Sequence, residues 1–177
     1  MNRDQALVQA CLQQDRTAQR TLYEQYGGKL FAITLRYMKN REEAEDVLQE
    51  VWIRIFSHLD SFRFDCPLEA WLKRIAINTA IRALQKQPQW KNFLDTDGLE
   101  ISTHHEMSAL DLLSVEELRS LIQQLPDGCQ TIFNLYAVEG YKHHEIATLL
   151  GITEGTSKSQ YSRAKALLQK EIKSISN

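Results

Sequence analysis

Glycine and proline are scarce in this sequence, which has 7 and 3 of them in 177 residues. Together they reach about half of their share in average globular proteins. Tight turns between strands rely on both residues, so their scarcity argues against a fold built from sheets and hairpins. Because 43% of the residues are hydrophobic, enough apolar surface remains for packed cores. The composition predicts an all-α protein.

Cysteine and long apolar runs are also lacking. Cys11, Cys66 and Cys129 are odd in number and far apart, which excludes a disulfide framework and a paired-thiolate metal site. We interpret them as buried reduced thiols. No apolar run approaches the ~20 residues that cross a bilayer, and charges throughout the N-terminus exclude a signal peptide. We expect a cytoplasmic protein with no direct membrane insertion.

Catalytic motifs are missing as well. The sequence has no glycine-rich phosphate loop, no nucleophile elbow and no pair of carboxylates in a pocket-like context. Histidine doublets occur at His104-His105 and His143-His144. Neighbouring residues of a helix point in different directions, whereas a zinc helix needs histidines four residues apart. We therefore expect no enzyme, no catalytic residue, no cofactor, no metal site and no small-molecule substrate.

The net charge of −2 is distributed unevenly. Residues 1–90 sum to +2, residues 91–125 to −5 and residues 126–177 to +1. Helical periodicity disappears after Pro88 and resumes at Ser114, a helix-capping residue followed three positions later by Glu117. We predict two small helical domains, residues 1–88 and 114–177, joined by a flexible acidic linker at residues 89–113.

Residues 141–170 have the spacing of a helix, a tight turn and a second helix. Gly151 suits a turn with positive φ, and Thr153 can cap the helix that follows. The stretch predicts a helix-turn-helix. It departs from the usual pattern at Lys142, where a capping Ser or Thr is expected, and at Ser157, where an aliphatic residue normally fills the turn.

The second helix of this motif has two unlike faces. At ~100° per residue, one face collects Ser157, Tyr161, Ala164 and Leu168, which should pack on the domain. The other face carries hydrogen-bond donors suited to phosphates and base edges: Lys158, Ser159, Ser162, Arg163 and Lys165. The alternative to DNA binding is an ordinary solvated face.

In the N-terminal half, a helix capped by Asn40 carries an acidic face. An apolar stripe including Val47 and Val51 should face the core, while the opposite side presents Asp46, Gln49, Glu50 and, unexpectedly for such a face, Ile53. An acidic face is often only solvated. The aliphatic residue within it favours a docking surface for a basic partner. The helix before it should be interrupted or bent at Gly27-Gly28.

Two phenylalanines, Phe62 and Phe64, lie in the loop at residues 58–66. One of them could be a core residue, or a ring could stack on an unpaired base. Pro67 and Pro88 bracket a helix at residues 68–87. Its basic strip, Arg74, Asn78 and Arg82, suits a nucleic-acid strand. A second apolar patch on this helix could dock another helix, and consists of Ile77, Ile81 and Leu84.

Three segments, in order, resemble the extracytoplasmic-function sigma factors of bacterial RNA polymerase. They are AEDVLQEVWIRIF at residues 44–56, SFRFD followed by AWLKRIAINTAIR within residues 61–82, and LPDGCQTIFNLYAVEGYKHHEIATLLGITEGTSKSQYSRAKALL at residues 125–168. The resemblance implies a sigma region 2-like bundle and a region 4-like helix-turn-helix.

The resemblance also implies functions for these segments. The face around Asp46, Gln49, Glu50 and Ile53 would bind the clamp helices of core RNA polymerase, and the polymerase flap is a further expected contact. Phe62 with Arg74, Asn78 and Arg82 would recognise and melt the minus-ten promoter element as single-stranded DNA, with Phe64 as the substitute stacking ring. The last helix would bind the duplex minus-thirty-five element. An anti-sigma factor is an expected partner, and a stress or signal regulon the expected target.

Two other hypotheses fit parts of the sequence. An ordinary helix-turn-helix regulator with a helical sensing or dimerisation domain would bind duplex DNA without polymerase. A metal-dependent helical enzyme would be revealed by metal analysis of the purified protein.

Overall fold

A computed structural model describes residues 3–88, Trp90 and residues 115–175, and every regular element within them is helical. The first elements are α1 (Arg3–Leu12), α2 (Arg16–Tyr37), α3 (Arg41–His58), a 3₁₀ turn (Leu59–Ser61) and α4 (Leu68–Gln85). The later elements are α5 (Val115–Gln123), α6 (Asp127–Phe133), a π-helix (Asn134–Val138), α7 (His143–Leu150) and α8 (Glu154–Ile175). The predicted all-α class is confirmed.

The chain divides into two compact units, Met1–Gln87 and Pro88–Asn177. The predicted acidic linker lies outside the described residues, apart from Trp90, and so do Ser114 and the doublet His104-His105. None of the helices in the described parts of the chain is both long and apolar enough to cross a membrane.

The first unit is a bundle in which α2, α3 and α4 pack on one another and α1 packs on α2. Side-chain caps begin two of its helices: the carboxylate of Asp15 accepts a hydrogen bond from the Thr17 amide at 2.8 Å, and the Asn40 side chain accepts one from Glu43 at 2.8 Å. Each satisfies an amide that the helix leaves unpaired. α2 runs unbroken through Gly27 and Gly28, so the predicted interruption does not occur, and the alternative of a bend there stays a prediction.

The apolar patch Ile77, Ile81 and Leu84, predicted as a surface that could dock another helix, belongs to the core of its own unit. Its members are only 1%, 1% and 3% exposed, so the patch is not available to a partner protein. Both faces of α4 are therefore needed for packing, since α4 contacts α2 and α3 together. Cys66 is exposed in the loop before α4, whereas Cys11 and Cys129 are buried as predicted.

In the second unit, α5, α6 and α8 share one hydrophobic core. It contains Leu121, Leu125, Cys129, Phe133, Ala164, Leu168 and Ile172. Three of these residues come from α8 at spacings of four, which places one stripe of the long helix against the core. The remaining surface of α8 is thereby fixed in orientation.

The predicted helix-turn-helix is present at α7 and α8. Gly151 adopts φ +69° and its N–H bonds to the carbonyl of Ala147, as expected for a glycine that ends a helix. The Thr153 hydroxyl accepts a hydrogen bond from the Thr156 amide at 3.0 Å. At the start of α7 the side chain of Glu145 accepts a hydrogen bond from the Lys142 amide at 2.7 Å, so the missing Ser or Thr cap is partly replaced.

Candidate nucleic-acid and partner interfaces

The two faces of α8 are arranged as the sequence predicted. Ser157 and Ala164 are 0% exposed and Leu168 is 6% exposed, while Tyr161 is half-buried. On the other side the five predicted donors are exposed or half-buried: Lys158, Ser159, Ser162, Arg163 and Lys165. A helix with this division can lay its donor face in a DNA groove without disturbing its packing.

Two of the cations on the donor face have local partners. The ammonium of Lys158 lies 2.7 Å from a carboxylate oxygen of Glu154, and both side chains are about half exposed. Such an exposed pair contributes little free energy, so a phosphate could compete for the lysine. The ammonium of Lys165 lies 4.9 Å from the ring centroid of Tyr161, which restrains a flexible side chain at the edge of the face.

An aromatic cluster that the sequence did not predict lies beside the helix-turn-helix. Tyr136 stacks on the ring of His143, with centroids 4.3 Å apart and planes 14° apart. Tyr161 contacts Tyr136 at 4.5 Å and Phe133 at 5.9 Å. The π-helix carries Tyr136, and π-turns occur often at functional positions. A clue in the sequence is the spacing of the rings at 133 and 136, three residues apart, which a search for apolar stripes does not weigh.

His143 also joins the two helices of the motif. Its Nδ1 lies 2.9 Å from the hydroxyl oxygen of Ser157, which is fully buried. Burial, and secondarily the nearby ammonium of Lys158, lowers the pKa of His143, while Glu154 opposes this shift. The lowered pKa favours the neutral form of the ring.

On α3, the predicted acidic face is accessible to solvent, but its carboxylates are not equally free to pair with a partner. Asp46 and Gln49 are exposed, and no hydrogen bond or ion pair with another described residue involves Asp46. Ile53 is 69% exposed. Glu50 differs, because its carboxylate lies 2.6 Å from the guanidinium of Arg54 and both side chains are about one-third exposed. A partner's cation would have to displace Arg54 before it could pair with Glu50.

A groove of about 700 Å³ lies between α2 and α3, next to this acidic face. Its walls include Gln49 and Ile53 from the predicted face, the pair Gly27-Gly28, and three aromatic residues to which the sequence analysis gave no binding role: Tyr23, Phe31 and Trp52. Tyr23 is 51% exposed and its ring lies 4.9 Å from that of Trp52. Aromatic side chains therefore line part of the groove, and the aliphatic Ile53 and the amide of Gln49 line another part.

The floor of the groove contains two consecutive glycines in the interior of a helix. A Cβ at Gly28 would meet no atom within 4 Å, and one at Gly27 would meet only the Tyr23 ring, at 3.9 Å. Each glycine destabilises a helix by about 1 kcal/mol relative to alanine. The packing of the first unit does not require either glycine, and their lack of side chains leaves the backbone of α2 open to close approach in the groove.

The loop before α4 holds a cluster of three aromatic rings. Phe62 is 7% exposed, and its ring lies 4.6 Å from that of Phe64 and 5.2 Å from that of Trp71. Phe62 is thus a packed ring rather than one presented to solvent. Its capture of a base stays a prediction, which would require the ring to leave this cluster.

Phe64 has the more unusual conformation. Its φ is +61°, in the left-handed region that residues with a large side chain rarely adopt. A backbone of this kind costs about 1–3 kcal/mol and persists where the surroundings or a function require it. Phe64 is half-buried, so part of its ring is accessible.

The basic strip of α4 lies on the exposed side of that helix. Arg74 and Arg82 are exposed and Asn78 is half-buried, and within the described residues no ion pair neutralises either arginine. The three side chains follow one another at intervals of four residues, so they form a continuous line. Such a line can follow a nucleic-acid backbone.

Metal ligands are not grouped in the described residues. No set of three or more His, Cys, Asp or Glu side chains there is arranged to hold an ion. His143 instead forms its hydrogen bond with Ser157.

Comparison with known proteins identifies the family. Residues 22–89 match Sigma-70 region 2, and residues 115–168 match Sigma-70 region 4. The ECF RNA polymerase sigma-E factor of Haemophilus influenzae is 30% identical over 97% of this chain and 96% of its own length. That of Escherichia coli K12 is also 30% identical, over 97% of this chain and 95% of its own. The chain belongs to the ECF sigma factors.

Two solved structures have a similar fold. CnrH, in complex with the cytosolic domain of CnrY, is 22% identical with a TM-score of 0.53, covering 98% of this chain and 99% of that one. The sigma factor RpoE of Bartonella quintana, in complex with the anti-sigma factor NepR, is 23% identical with a TM-score of 0.54, covering 89% of this chain and 98% of that one. This sigma factor is an alternative one that directs transcription initiation, so the hypothesis of an ordinary helix-turn-helix regulator is set aside.

Proposed function

We propose that this sigma factor binds core RNA polymerase through the acidic face of α3 together with the adjoining groove. The observation that carries the proposal is the exposed Ile53, which is 69% accessible, lines the groove and lies on the same helix as the unpaired Asp46. A single exposed aliphatic residue is ordinary, but Ile53 adjoins the exposed ring of Tyr23 in the lining of the groove, and a grouped apolar surface of this kind is typical of a docking site. A basic helix laid in the groove would contact Ile53 and pair with Asp46.

Reconstitution tests this function directly. Core polymerase alone should transcribe a cognate promoter poorly, and addition of the purified protein should give promoter-specific transcripts. The protein alone should bind the same duplex weakly. Tight, sequence-specific binding without core polymerase would contradict the proposal.

The glycine pair offers a sharp test of the groove. Gly28→Ala should raise the free energy of unfolding of the first unit by about 1 kcal/mol, because alanine is the better helix former and its Cβ meets nothing. If a partner helix approaches the backbone at this point, the same change should weaken binding to core polymerase. Urea unfolding and competition for core polymerase measure the two effects.

The matched control is Gln25→Ala, at an exposed position of α2 that does not line the groove. It should not reduce polymerase binding. A Gly28→Ala protein that is more stable and binds core polymerase as well as the wild type would exclude the groove from the interface.

We further propose that α8 binds the minus-thirty-five element as duplex DNA. The orientation of the donor face, opposite the buried stripe Ser157, Ala164 and Leu168, supports this assignment. Arg163 is the central candidate for a base contact, and Lys165 at the edge is a candidate for a phosphate contact.

Arg163→Ala should cost about 1–3 kcal/mol of promoter binding and relax the preference at one base pair. Lys165→Ala should weaken all promoters alike and lower the salt dependence of binding, because it removes a phosphate contact. Footprints of the holoenzyme on a set of minus-thirty-five variants distinguish the two effects. Unchanged footprints for both proteins would rule out the assignment of this face to DNA.

For the minus-ten element, we propose that the melted strand lies along Arg74, Asn78 and Arg82 and that an aromatic ring of the neighbouring loop holds an unstacked base. The accessible part of Phe64 and its left-handed backbone favour this ring over the packed Phe62. The base would stack on the ring while the two arginines contact the backbone.

We also propose that an anti-sigma factor regulates this protein. We expect the sigma factor itself to act in the cytoplasm and to have no catalytic activity of its own. The support is the fold shared with RpoE, which is solved with the anti-sigma factor NepR. The buried patch of α4 no longer supports it. Affinity purification from cells under inducing and non-inducing conditions would test the regulatory partner, which should be recovered only when the regulon is silent.

A further inference from the structure

The turn between α7 and α8 lacks its usual apolar filling. Ser157 occupies the position where an aliphatic side chain was expected, and it is 0% exposed. A buried hydroxyl without a hydrogen bond destabilises the folded state. Here the hydroxyl oxygen lies 2.9 Å from Nδ1 of His143, at the first position of α7. A hydrogen bond between the two helices therefore takes the place of an apolar contact.

The imidazole is held from a second side. Its ring stacks on Tyr136 at 4.3 Å and meets the edge of Tyr161 at 5.8 Å. Tyr136 comes from the π-helix before α7, and Tyr161 comes from α8, one turn after Ser157. His143 thus connects α7 with two other elements, and a change in the angle between α7 and α8 would break the hydrogen bond or the stack.

We propose that His143 and Ser157 are positioning residues for promoter recognition, forming a polar joint that fixes α8 relative to α7. The proposal rests on the proposed reading of duplex DNA by α8. Ser157 immediately precedes Lys158, at the start of the donor face, so a loosened joint would displace the donors from the groove. Neither residue needs to touch DNA for its loss to weaken recognition.

The joint has a consequence for pH. The charged groups that act on His143 are Lys158 and Glu154 on α8, and the phenols of Tyr136 and Tyr161 pack against its ring. Since burial depresses the pKa of this histidine in the folded state, its contribution to stability is complete above the ordinary histidine pKa of about 6.5. It is lost as the pH falls below that value and through the depressed pKa.

A double-mutant cycle tests the joint. Removing one partner of a buried hydrogen bond leaves the other unsatisfied, whereas replacing both by apolar groups is close to neutral. His143→Phe keeps a ring for Tyr136 but lacks Nδ1, and Ser157→Ala lacks the hydroxyl. In the full-length protein, the slowly exchanging amide hydrogens of α7 and α8 should exchange about tenfold faster in each single variant than in the wild type. The double variant should recover most of the loss.

Promoter binding by the corresponding holoenzymes should follow the same order. The single variants should lose about tenfold in affinity for a promoter with its minus-thirty-five element, and the double variant should approach the wild type. Below about pH 6.5 the wild-type affinity should fall relative to that of the double variant, which has no histidine in the joint. His144→Gln, at the exposed neighbouring position, is the control and should match the wild type in exchange and affinity.

Additive losses, or single variants indistinguishable from the wild type in both measurements, would overturn the joint. Another result would show that the proposed binding of duplex DNA by α8 is wrong, rather than the joint. Wild-type binding could prove independent of the minus-thirty-five sequence while the single variants still lose amide protection that the double variant recovers. In that case the joint is a structural element, and α8 does not bind the duplex.

Discussion

Asp46→Arg is expected to reduce binding to core polymerase at least about a hundredfold while leaving the fold intact. Asp46 is exposed on α3 and no described residue pairs with it, so its replacement removes no internal contact. Against a basic partner surface the new guanidinium creates a like-charge contact, which costs several kcal/mol. Glu50→Arg should act in the same direction but also removes the internal pair with Arg54. Co-purification and competition assays measure the loss.

Glu171→Arg is the matched control, because it makes the same change in net charge at an exposed position of the second unit. It should bind core polymerase as the wild type does. Circular dichroism should show the same helix content for all three variants. An Asp46→Arg protein recovered with core polymerase at normal yield would mean that the acidic face of α3 is only solvated.

Phe62→Ala is expected to destabilise the first unit by about 3–5 kcal/mol, the usual cost of truncating a packed phenylalanine. The ring is 7% exposed and loses contacts with Phe64 and Trp71. Urea unfolding followed by tryptophan fluorescence measures the effect, since Trp52 and Trp71 both lie in this unit. Phe56→Ala, at a position 37% exposed, is the control and should cost clearly less.

A second variant in this loop separates a role in folding from a role in strand opening. Phe64→Gly removes the ring contact with Phe62 but relieves the left-handed backbone, so it should cost clearly less stability than Phe62→Ala. If Phe64 captures a base, the variant should form the closed promoter complex but open it poorly, as should Asn78→Ala. A promoter with a pre-melted minus-ten segment should restore part of the transcription. Normal opening by Phe64→Gly would remove the stacking role from this residue.

Local features of the fold were predictable from the sequence because they depend on short-range chemistry. The Asn40 cap, the positive φ of Gly151 and the Thr153 cap each follow from one side chain and its nearest neighbours. The buried stripe of α8 follows from the helical period, which needs no tertiary information. These elements place the donor face of α8.

Features that depend on contacts between helices were not predictable in the same way. Both Ile77 and Ile81 are buried because α4 packs against two helices at once, so two apolar faces do not imply a free one. The groove combines α2 with α3, and its residues are far apart in the chain. For Phe62, the sequence left a core residue and a stacking ring as alternatives, and burial depends on how the loop folds over Trp71.

The π-helix makes the second unit sensitive to chain length as well as to residue identity. The Glu139 amide bonds to the carbonyl of Asn134, five residues earlier, where an α-helix would span four. This turn therefore contains one residue more than a turn of α-helix. The extra residue rotates the chain so that Tyr136 faces His143. Deleting one residue here would restore ordinary helical bonding and turn the tyrosine away from the histidine. Relatives of different length in this short segment would need a different contact between the helices, even where every base-contacting side chain is the same.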